Sequence, residues 1–207
     1  MLNNYINLFK DSIKKFFMNN HLILITGLPG TGKQTSAEKL VENLENYVLI
    51  DQNELRRKAG MRKMPQKQDD INRKIDRMAA SYLNKRNGVI ILAGHRQVCR
   101  RNQLYGVASC CGKNVIALEC VCSETEAKRR IKARPKSDGL ISKPNEPKVY
   151  DRIRDLWEDI NIDFKYPGQD FVSYITYNTE ENKIYKNRVT YGVGKFIDEI
   201  EKILLNK

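Results

Sequence analysis

Residues 27–33, Gly-Leu-Pro-Gly-Thr-Gly-Lys, constrain the fold of this chain more than any other segment. They follow a short apolar run at 22–26 and precede residues 34–45, whose apolar side chains recur at helical spacing. A glycine-rich turn between an apolar run and an amphipathic helix is typical of a buried parallel strand that enters a crossover. The segment therefore predicts a parallel α/β sheet with this loop at its carboxyl edge.

Strand and helix patterns alternate along the rest of the chain. Further apolar runs predict strands at 47–50, 89–93, 115–120 and 171–176. Helical periodicity predicts helices at 69–85, 98–109, 124–133 and 195–205. This alternation indicates βαβ units, and hence a three-layer α/β/α fold around a mostly parallel five-stranded sheet. Residues 178–191 fit no element, and the proline- and glycine-containing stretch 134–147 predicts a mobile lid.

The loop also fits the pattern G-x-x-x-x-G-K, in which each conserved feature has a phosphate-binding role. Glycines at 27, 30 and 32 let backbone N–H groups approach phosphates without a Cβ in the way. The helix that follows directs its N-terminus at the anion, and Lys33 supplies a mobile positive charge. We therefore predict a P-loop NTPase fold whose nucleotide-binding residues are Gly27, Gly30, Thr31, Gly32, Lys33, Gln34 and Thr35.

One position departs from the usual motif. Gln34 follows the lysine, where a serine or threonine normally ligates Mg²⁺. Mg²⁺ accepts amide oxygens and keeps several waters, so Gln34 can bind it directly or through water, while the Thr35 hydroxyl can reach the α-phosphate. We expect ATP with Mg²⁺ as the bound nucleotide, and the motif does not distinguish ATP from GTP.

Length and composition are those of one globular domain. We expect an amphipathic helix at residues 1–20, which packs on the domain or lies on a membrane surface, and a domain at 21–207. No apolar run reaches the ~20 residues that span a bilayer, and the first residues lack a signal-peptide layout. Five cysteines with no histidine at zinc-ligand spacing indicate buried reduced thiols. These features predict a cytoplasmic protein.

Positive charge is concentrated in three segments of a chain whose formal net charge is +12. Residues 56–77 carry a net +6, residues 96–101 carry +3 and residues 128–136 carry +6, so the remainder is slightly acidic. A charge run is often a solvated helix face. Because these segments follow predicted strands or border the predicted lid, we expect them to surround one site that attracts an anion.

The P-loop sequence resembles that of the small P-loop kinases, which include adenylylsulfate kinase, gluconate kinase, zeta toxin and the kinase domain of polynucleotide kinase. The likeness extends over residues 20–165 and is specific at residues 27–33. It implies transfer of the γ-phosphoryl group of ATP to a hydroxyl. Adenylate kinases in the wider group have glycine after the lysine, so a residue without a hydroxyl, as at Gln34, is tolerated.

In these kinases the second strand ends in an acid that is followed by an arginine. The resemblance implies that Asp51 is the base for the acceptor hydroxyl and that Arg56 anchors an acceptor anion. Asn53 replaces a second expected acid and cannot take a proton, so Glu54 is the alternative base. Asp51 can also be read simply as the N-cap of the next helix.

The end of the third predicted strand supplies His95 and Arg96. Ligands of open α/β sheets bind outside the carboxyl ends of the strands, so we expect both residues to contact the acceptor. His95 can orient or deprotonate the acceptor, or it can be structural. Family members often carry an acid at this position, whereas this chain has Ala93.

Two arginines border the predicted lid. Arg130 and Arg134 match the R-x-x-x-R pattern with which the resembled kinases stabilise the transferring phosphoryl group, and they share one helix face. The alternative is that the basic residues here form a solvated helix face.

Two classes of function follow from these residues. The first is a kinase that acts on an anionic small molecule or a nucleic-acid end. The second is a nucleotide-binding relative that has lost catalysis, because Gln34, Asn53 and Ala93 all replace residues useful for chemistry. A hydrolysing NTPase switch has less support, since no acid follows the third strand. The sequence does not indicate an oligomeric state.

Overall fold

The computed structural model describes residues 20–60, 68–135, 145–165 and 168–206. The strands are Leu22–Thr26 (β1), Tyr47–Asp51 (β2), Gly88–Leu92 (β3), Val115–Val121 (β4), Val172–Asn178 (β5) and Lys183–Arg188 (β6). The α-helices are Lys33–Asn43 (α1), Gln52–Lys58 (α2), Gln68–Asn84 (α3), Val98–Cys110 (α4), Glu124–Lys132 (α5), Lys148–Arg154 (α6) and Gly194–Leu205 (α7). A 3-10 helix spans Ile160–Lys165.

The strands form one sheet in the order β2-β3-β1-β4-β5-β6. Every neighbouring pair from β2 to β5 is parallel, whereas β6 pairs antiparallel with β5. The predicted mostly parallel α/β fold is confirmed, but the predicted number of five strands is wrong. The sixth strand lies in the stretch 178–191 and was missed because its sequence is mostly polar, as suits an exposed edge strand.

The core consists of two apolar layers on opposite faces of the sheet. In β1, Leu22 and Leu24 pack in the layer with α3 and α4, whereas Ile23 and Ile25 pack in the layer with α1 and α7. Successive strand residues point to opposite faces, so a strand covered by helices on both sides is apolar throughout. The three-layer α/β/α arrangement predicted from the sequence is therefore correct.

A buried ion pair fixes the start of α4 and with it the loop after β3. Arg101 donates to Asp163 from Nε at 2.7 Å and from a terminal nitrogen at 2.8 Å, and the Tyr105 hydroxyl donates to the same carboxylate at 2.9 Å. Another Arg101 nitrogen donates to the His95 carbonyl at 3.0 Å. The loop that carries His95 is thereby tied to the 3-10 helix.

Two predicted features fall on parts of the chain outside the described residues. The N-terminal helix was expected at residues 1–20, of which only residue 20 is described. The lid was expected at 134–147, and its central stretch 136–144 also lies outside. Within the described ranges, no helix is both long and apolar enough to cross a membrane.

Candidate active site

The P-loop connects β1 to α1 and is packed so closely that two of its glycines have no room for a side chain. Gly27, Gly30 and Gly32 have φ values of +134°, +84° and +86°. A Cβ on Gly27 would lie 2.3 Å from the Cys120 carbonyl oxygen, and one on Gly30 would lie 2.4 Å from the Ala127 carbonyl oxygen. The loop is therefore held directly against β4 and α5, in a conformation that L-residues rarely adopt.

Lys33 lies half-buried at the start of α1 and turns its ammonium group back toward the loop. Its Nζ donates to the Leu28 carbonyl at 2.6 Å, and the Thr31 hydroxyl donates to the same oxygen at 2.8 Å. Burial, with a smaller contribution from the nearby guanidinium of Arg134, lowers the pKa of Lys33 to about 8. The loop thus holds an incompletely compensated cation, for which a phosphate is a suitable partner.

The other residues predicted to bind nucleotide lie on the first turns of α1. Gln34 and Thr35 are exposed, and Gln34 Nε2 donates to Glu38 Oε1 at 2.8 Å. This bond directs the Gln34 nitrogen to Glu38 and leaves its oxygen as the atom that can approach a cation. An amide oxygen beside a carboxylate is a donor set that suits a mostly hydrated Mg²⁺. In the described part of the chain, no group of three or more His, Cys, Asp or Glu residues can hold a metal ion.

The two lid-border arginines both approach the P-loop. Arg130 donates to Glu126 at 2.6 Å and to the Thr179 hydroxyl at 2.7 Å, and that hydroxyl also bonds the Thr31 carbonyl at 3.1 Å. Arg134 is exposed and lies near enough to Lys33 to affect its pKa. The structure therefore places both arginines near the P-loop, with Arg130 linked to it through Thr179.

Much of the positive charge of the segment 128–136 is compensated in the folded chain. Lys128 pairs with Glu124 at 2.6 Å and with Asp151 of α6 at 2.8 Å. Arg129 pairs with Glu126 at 2.6 Å and is largely exposed. For these two cations the solvated helix face is the better interpretation, because Glu124 and Glu126 of the same helix and Asp151 of α6 compensate their charge.

Asp51 ends β2 and caps α2. Its Oδ1 accepts a hydrogen bond from the Asn53 backbone N–H at 2.7 Å, and the residue is buried. The interpretation of Asp51 as an N-cap is therefore confirmed, and the cap uses one of its two oxygens. Glu54 is exposed and pairs with Lys58 at 2.6 Å along α2, so the structure does not bring this alternative base into the site.

His95 and Arg96 follow β3 in opposite environments. His95 is buried, and its Nε2 has no hydrogen-bond partner among the residues that the structure describes. Burial, followed by the guanidinium groups of Arg100, Arg101 and Arg56, lowers the pKa of His95 to about 3, so the imidazole is neutral at pH 7. Arg96 is exposed, and no hydrogen bond or ion pair of its side chain is found in the described ranges. A neutral His95 can orient a ligand, but it is a weak base.

A family model described as an AAA domain, AAA_33, matches residues 22–155, which is more than half of the chain. The chain belongs to the AAA_33 family. This agrees with the resemblance to small P-loop kinases that the sequence shows. No curated protein matches the chain.

Solved structures share the fold of this AAA_33 chain at low sequence identity. Kti12 of Chaetomium thermophilum in complex with ADP-AlF3 has a TM-score of 0.60 at 18% identity and covers 88% of this chain and 98% of its own. A gluconokinase of Sinorhizobium meliloti 1021 has a TM-score of 0.52 at 15% identity, with 91% and 93% covered. A chain of the Pnkp1/Rnl/Hen1 RNA repair complex has a TM-score of 0.53 at 16% identity, with 67% and 46% covered, so the match spans less than half of that chain.

One acidic residue beside the P-loop strand was missed in the sequence. Glu119 lies in β4 opposite Thr26 of β1 and accepts a hydrogen bond from the Tyr174 hydroxyl at 2.6 Å. Burial raises the pKa of Glu119, and the buried Thr26 hydroxyl has no hydrogen-bond partner in the described part of the chain. The signal was present, because Glu119 is the charged residue of an otherwise apolar strand. Glu119 places a carboxylate near the carboxyl edge of the sheet on β4. The AAA_33 chain has no acid at the end of β3, where Ala93 stands.

The five cysteines are all free, but they are not uniformly buried as expected. Cys99 and Cys110 are exposed because they lie on the outer side of α4. Cys120 is buried, and its thiol lies 3.5 Å from the Ser36 hydroxyl of α1. Cys122 is half-buried and lies 3.9 Å from the Gly30 carbonyl. Cys120 lies in β4 and Cys122 directly follows its last residue, and their thiols contact α1 and the P-loop.

Proposed function

We propose that this AAA_33 protein is a kinase that transfers the γ-phosphoryl group of ATP to a hydroxyl of an anionic acceptor. The observation that carries the proposal is the arrangement at one edge of the sheet. Lys33 and Arg134 approach each other at the P-loop, while Asp51 ends a strand two positions away in the same sheet. Two strand spacings separate β2 from β1 by about 10 Å, which leaves room for an acceptor beside the phosphates.

The proposed reaction uses these residues in separate roles. The acceptor hydroxyl attacks the γ-phosphorus, the bond to the β,γ-bridging oxygen breaks, ADP leaves, and Asp51 takes the hydroxyl proton. Lys33 binds the β- and γ-phosphates, and Arg130 with Arg134 stabilises charge on the transferring group. Phosphoryl transfer depends mainly on such positioning and electrostatic stabilisation.

ATP with Mg²⁺ is the proposed cofactor, and GTP fits the same loop. Gly27, Gly30, Thr31 and Gly32 would hold the phosphates, and Thr35 the α-phosphate. Gln34 would hold Mg²⁺ through its amide oxygen, with waters completing the shell. The ion would supply positive charge to the triphosphate. The structurally similar Kti12 was solved in complex with ADP-AlF3, which supports nucleotide binding by a chain of this fold.

The acceptor is proposed to be an anionic small molecule or a nucleic-acid end. Arg56 and Arg96 would bind its anion, because neither guanidinium has a carboxylate ion-pair partner within hydrogen-bonding distance in the described ranges, and neutral His95 would orient it. The RNA repair complex among the structural neighbours supports the nucleic-acid version. The free thiols are consistent with the proposed cytoplasmic location.

The second candidate is a nucleotide-binding protein without transferase activity. Asn53 stands where an acid is expected, and its amide cannot take a proton. Its side-chain oxygen accepts a hydrogen bond from Arg56 at 3.4 Å. Ala93 and Gln34 are further replacements. In this second candidate the P-loop binds a nucleotide that the protein senses, and Asp51 acts only as the N-cap of α2.

A transfer assay separates the two candidates. The full chain is incubated with γ-labelled ATP, Mg²⁺ and a panel of acceptors: 5′-hydroxyl RNA and DNA, adenylylsulfate, sugars and UDP-sugars. Label transfer that disappears in Lys33→Ala is the expected result. Tight ATP binding without transfer to any acceptor, and without a gain in Asn53→Asp, would establish the sensor instead.

A further inference from the structure

A chain of hydrogen-bonded polar side chains joins α2 to the beginning of α3. Arg56 donates to Gln68 Oε1 from Nε at 3.1 Å and also from one terminal nitrogen. Gln68 Nε2 donates to Asn72 Oδ1 at 2.8 Å, and Gln52 Nε2 reaches the same Asn72 oxygen at 3.4 Å. Gln52 is buried and the other three are half-buried. The four side chains form one connected unit, which we term the amide chain.

Arg56 fixes the polarity of the amide chain, because arginine donates hydrogen bonds and never accepts them. Gln68 must turn its oxygen toward Arg56 and therefore its NH₂ toward Asn72. Asn72 then presents its oxygen to both glutamines. At the end of the chain, the Asn72 Nδ2 donors and the Gln52 Oε1 acceptor have no hydrogen-bond partner among the described residues. The Asn72 NH₂ group and the Gln52 side-chain oxygen are therefore a donor and an acceptor available on two side chains in contact.

The amide chain lies at the carboxyl end of β2, and the Asn72 backbone carbonyl accepts a hydrogen bond at 3.3 Å from Arg100 of α4, the helix that follows β3. Gln52 follows β2 directly. Burial lowers the pKa of Arg56, and the nearby carboxylate of Asp51 partly offsets this effect. The Arg56 guanidinium in turn lies close enough to His95 to affect its titration. The unpartnered Nε2 of His95, in a residue only 6% exposed, is a second unsatisfied polar group in this region.

We propose that Gln52 and Asn72 read the base edge of a nucleotide acceptor. A nucleobase carries a donor next to an acceptor in one rigid plane, which complements the pair left open by the amide chain. Three of the five Arg56 donors are used within the protein, so two remain for the phosphate of the same nucleotide. The inference rests on the acceptor site of the proposed function and names its substrate class, but it does not depend on phosphoryl transfer.

Equilibrium binding tests the inference without catalysis. The full chain is saturated with a non-hydrolysable ATP analogue, and the four nucleoside 3′-monophosphates, which have a free 5′-hydroxyl, are titrated by calorimetry. One base should bind at least about tenfold more tightly than the least favoured base. Gluconate, an anion without a base, should bind more weakly than the preferred nucleotide. Equal affinity for all four nucleotides, or tighter binding of gluconate, would overturn the inference.

Asn72→Asp is the informative variant, because its carboxylate still accepts from Gln52 and Gln68 but no longer donates to a base. It should reduce the ratio of affinities between the best and worst base about tenfold. Asn84→Asp adds the same charge at the exposed far end of α3 and should leave that ratio unchanged. An unaltered ratio in Asn72→Asp would contradict base reading.

A second variant guards against a folding defect. Gln52→Met removes the acceptor but keeps a side chain of similar length, and it should reduce the same ratio. Thermal unfolding of each variant shows whether the fold is intact. Base discrimination in a protein that transfers no label would refute the kinase alone, whereas transfer without base discrimination would refute the base reading alone.

Discussion

At the scale of single residues, the P-loop glycines offer the most direct test of the site. Gly30 has φ +84°, and its Cβ position lies within 3.0 Å of three backbone atoms of Ala127. Gly30→Ala should lower the free energy of unfolding by at least about 2 kcal/mol, because strain in the left-handed region adds to the clash. It should also weaken ATP binding. Urea unfolding and calorimetry measure the two effects.

Gly106→Ala is the matched control, since Gly106 lies within α4 with open space around its Cβ position. Alanine is the better helix former, so this variant should gain roughly 0.5–1 kcal/mol of stability and bind ATP normally. Similar losses in both variants would mean that the loop is not as tightly constrained as its contacts imply.

The titration of Lys33 predicts a pH dependence of nucleotide binding. Its folded pKa of about 8 lies below the ordinary 10.5, so between these values the unfolded chain binds more protons and the contribution of Lys33 to stability rises with pH. Binding has the opposite sign, because phosphates require the ammonium form. Affinity for ATP should fall about tenfold from pH 7.5 to pH 9.

Lys33→Arg provides the comparison, since arginine stays charged over this range. Its affinity for ATP should be nearly independent of pH, whatever its absolute value. Calorimetry in buffers of different ionisation enthalpy should also detect proton uptake above pH 8 in the natural protein only. The same pH slope in both proteins would assign the effect to another group.

At the scale of elements, the buried pair of Arg101 and Asp163 joins α4 to the 3-10 helix. Both side chains are fully buried. Arg101→Leu should cost about 3–5 kcal/mol in urea unfolding, because it leaves an unpaired buried carboxylate. Adding Asp163→Leu should restore part of the loss. The exposed pair Arg73 and Asp70 is the control, and breaking it should cost less than about 1 kcal/mol.

The outcome at this scale shows which elements a sequence can reveal. β1 to β5 are mostly apolar because helices cover the faces of the sheet, so these strands are visible in the sequence as apolar runs. β6 has exposed Lys183 and Tyr185 and is specified by its pairing with β5, which the sequence alone does not show. The short helix α2 was not among the helices predicted from periodicity, although the interpretation of Asp51 as an N-cap implied a helix after it.

At the scale of the whole molecule, the net charge overstates how many cations are available to a polyanion. Several cations are paired with acids, such as Arg100 with Asp76 in the interior and Arg129 with Glu126 at the surface. We predict that Arg56→Gln with Arg96→Gln lowers the slope of log affinity for single-stranded RNA against log salt by roughly 1.5. Arg73→Gln, whose charge is already paired with Asp70, should leave the slope unchanged. A flat salt response of the natural protein would remove nucleic acid as the acceptor.

By itself the sequence determined the α/β class, the P-loop and the positions of Lys33 and Asp51. These depend on local patterns: apolar periodicity, and a motif whose spacing is fixed by the backbone around a phosphate. Tertiary structure decided which charges are compensated, where Glu119 lies, and how Arg56 orients the amide chain. Such features depend on contacts between residues distant in sequence, such as Thr31 and Thr179. These residues come together only when the sheet assembles. The P-loop could therefore be predicted, whereas the side-chain contacts around Arg56 could be seen only in the structure.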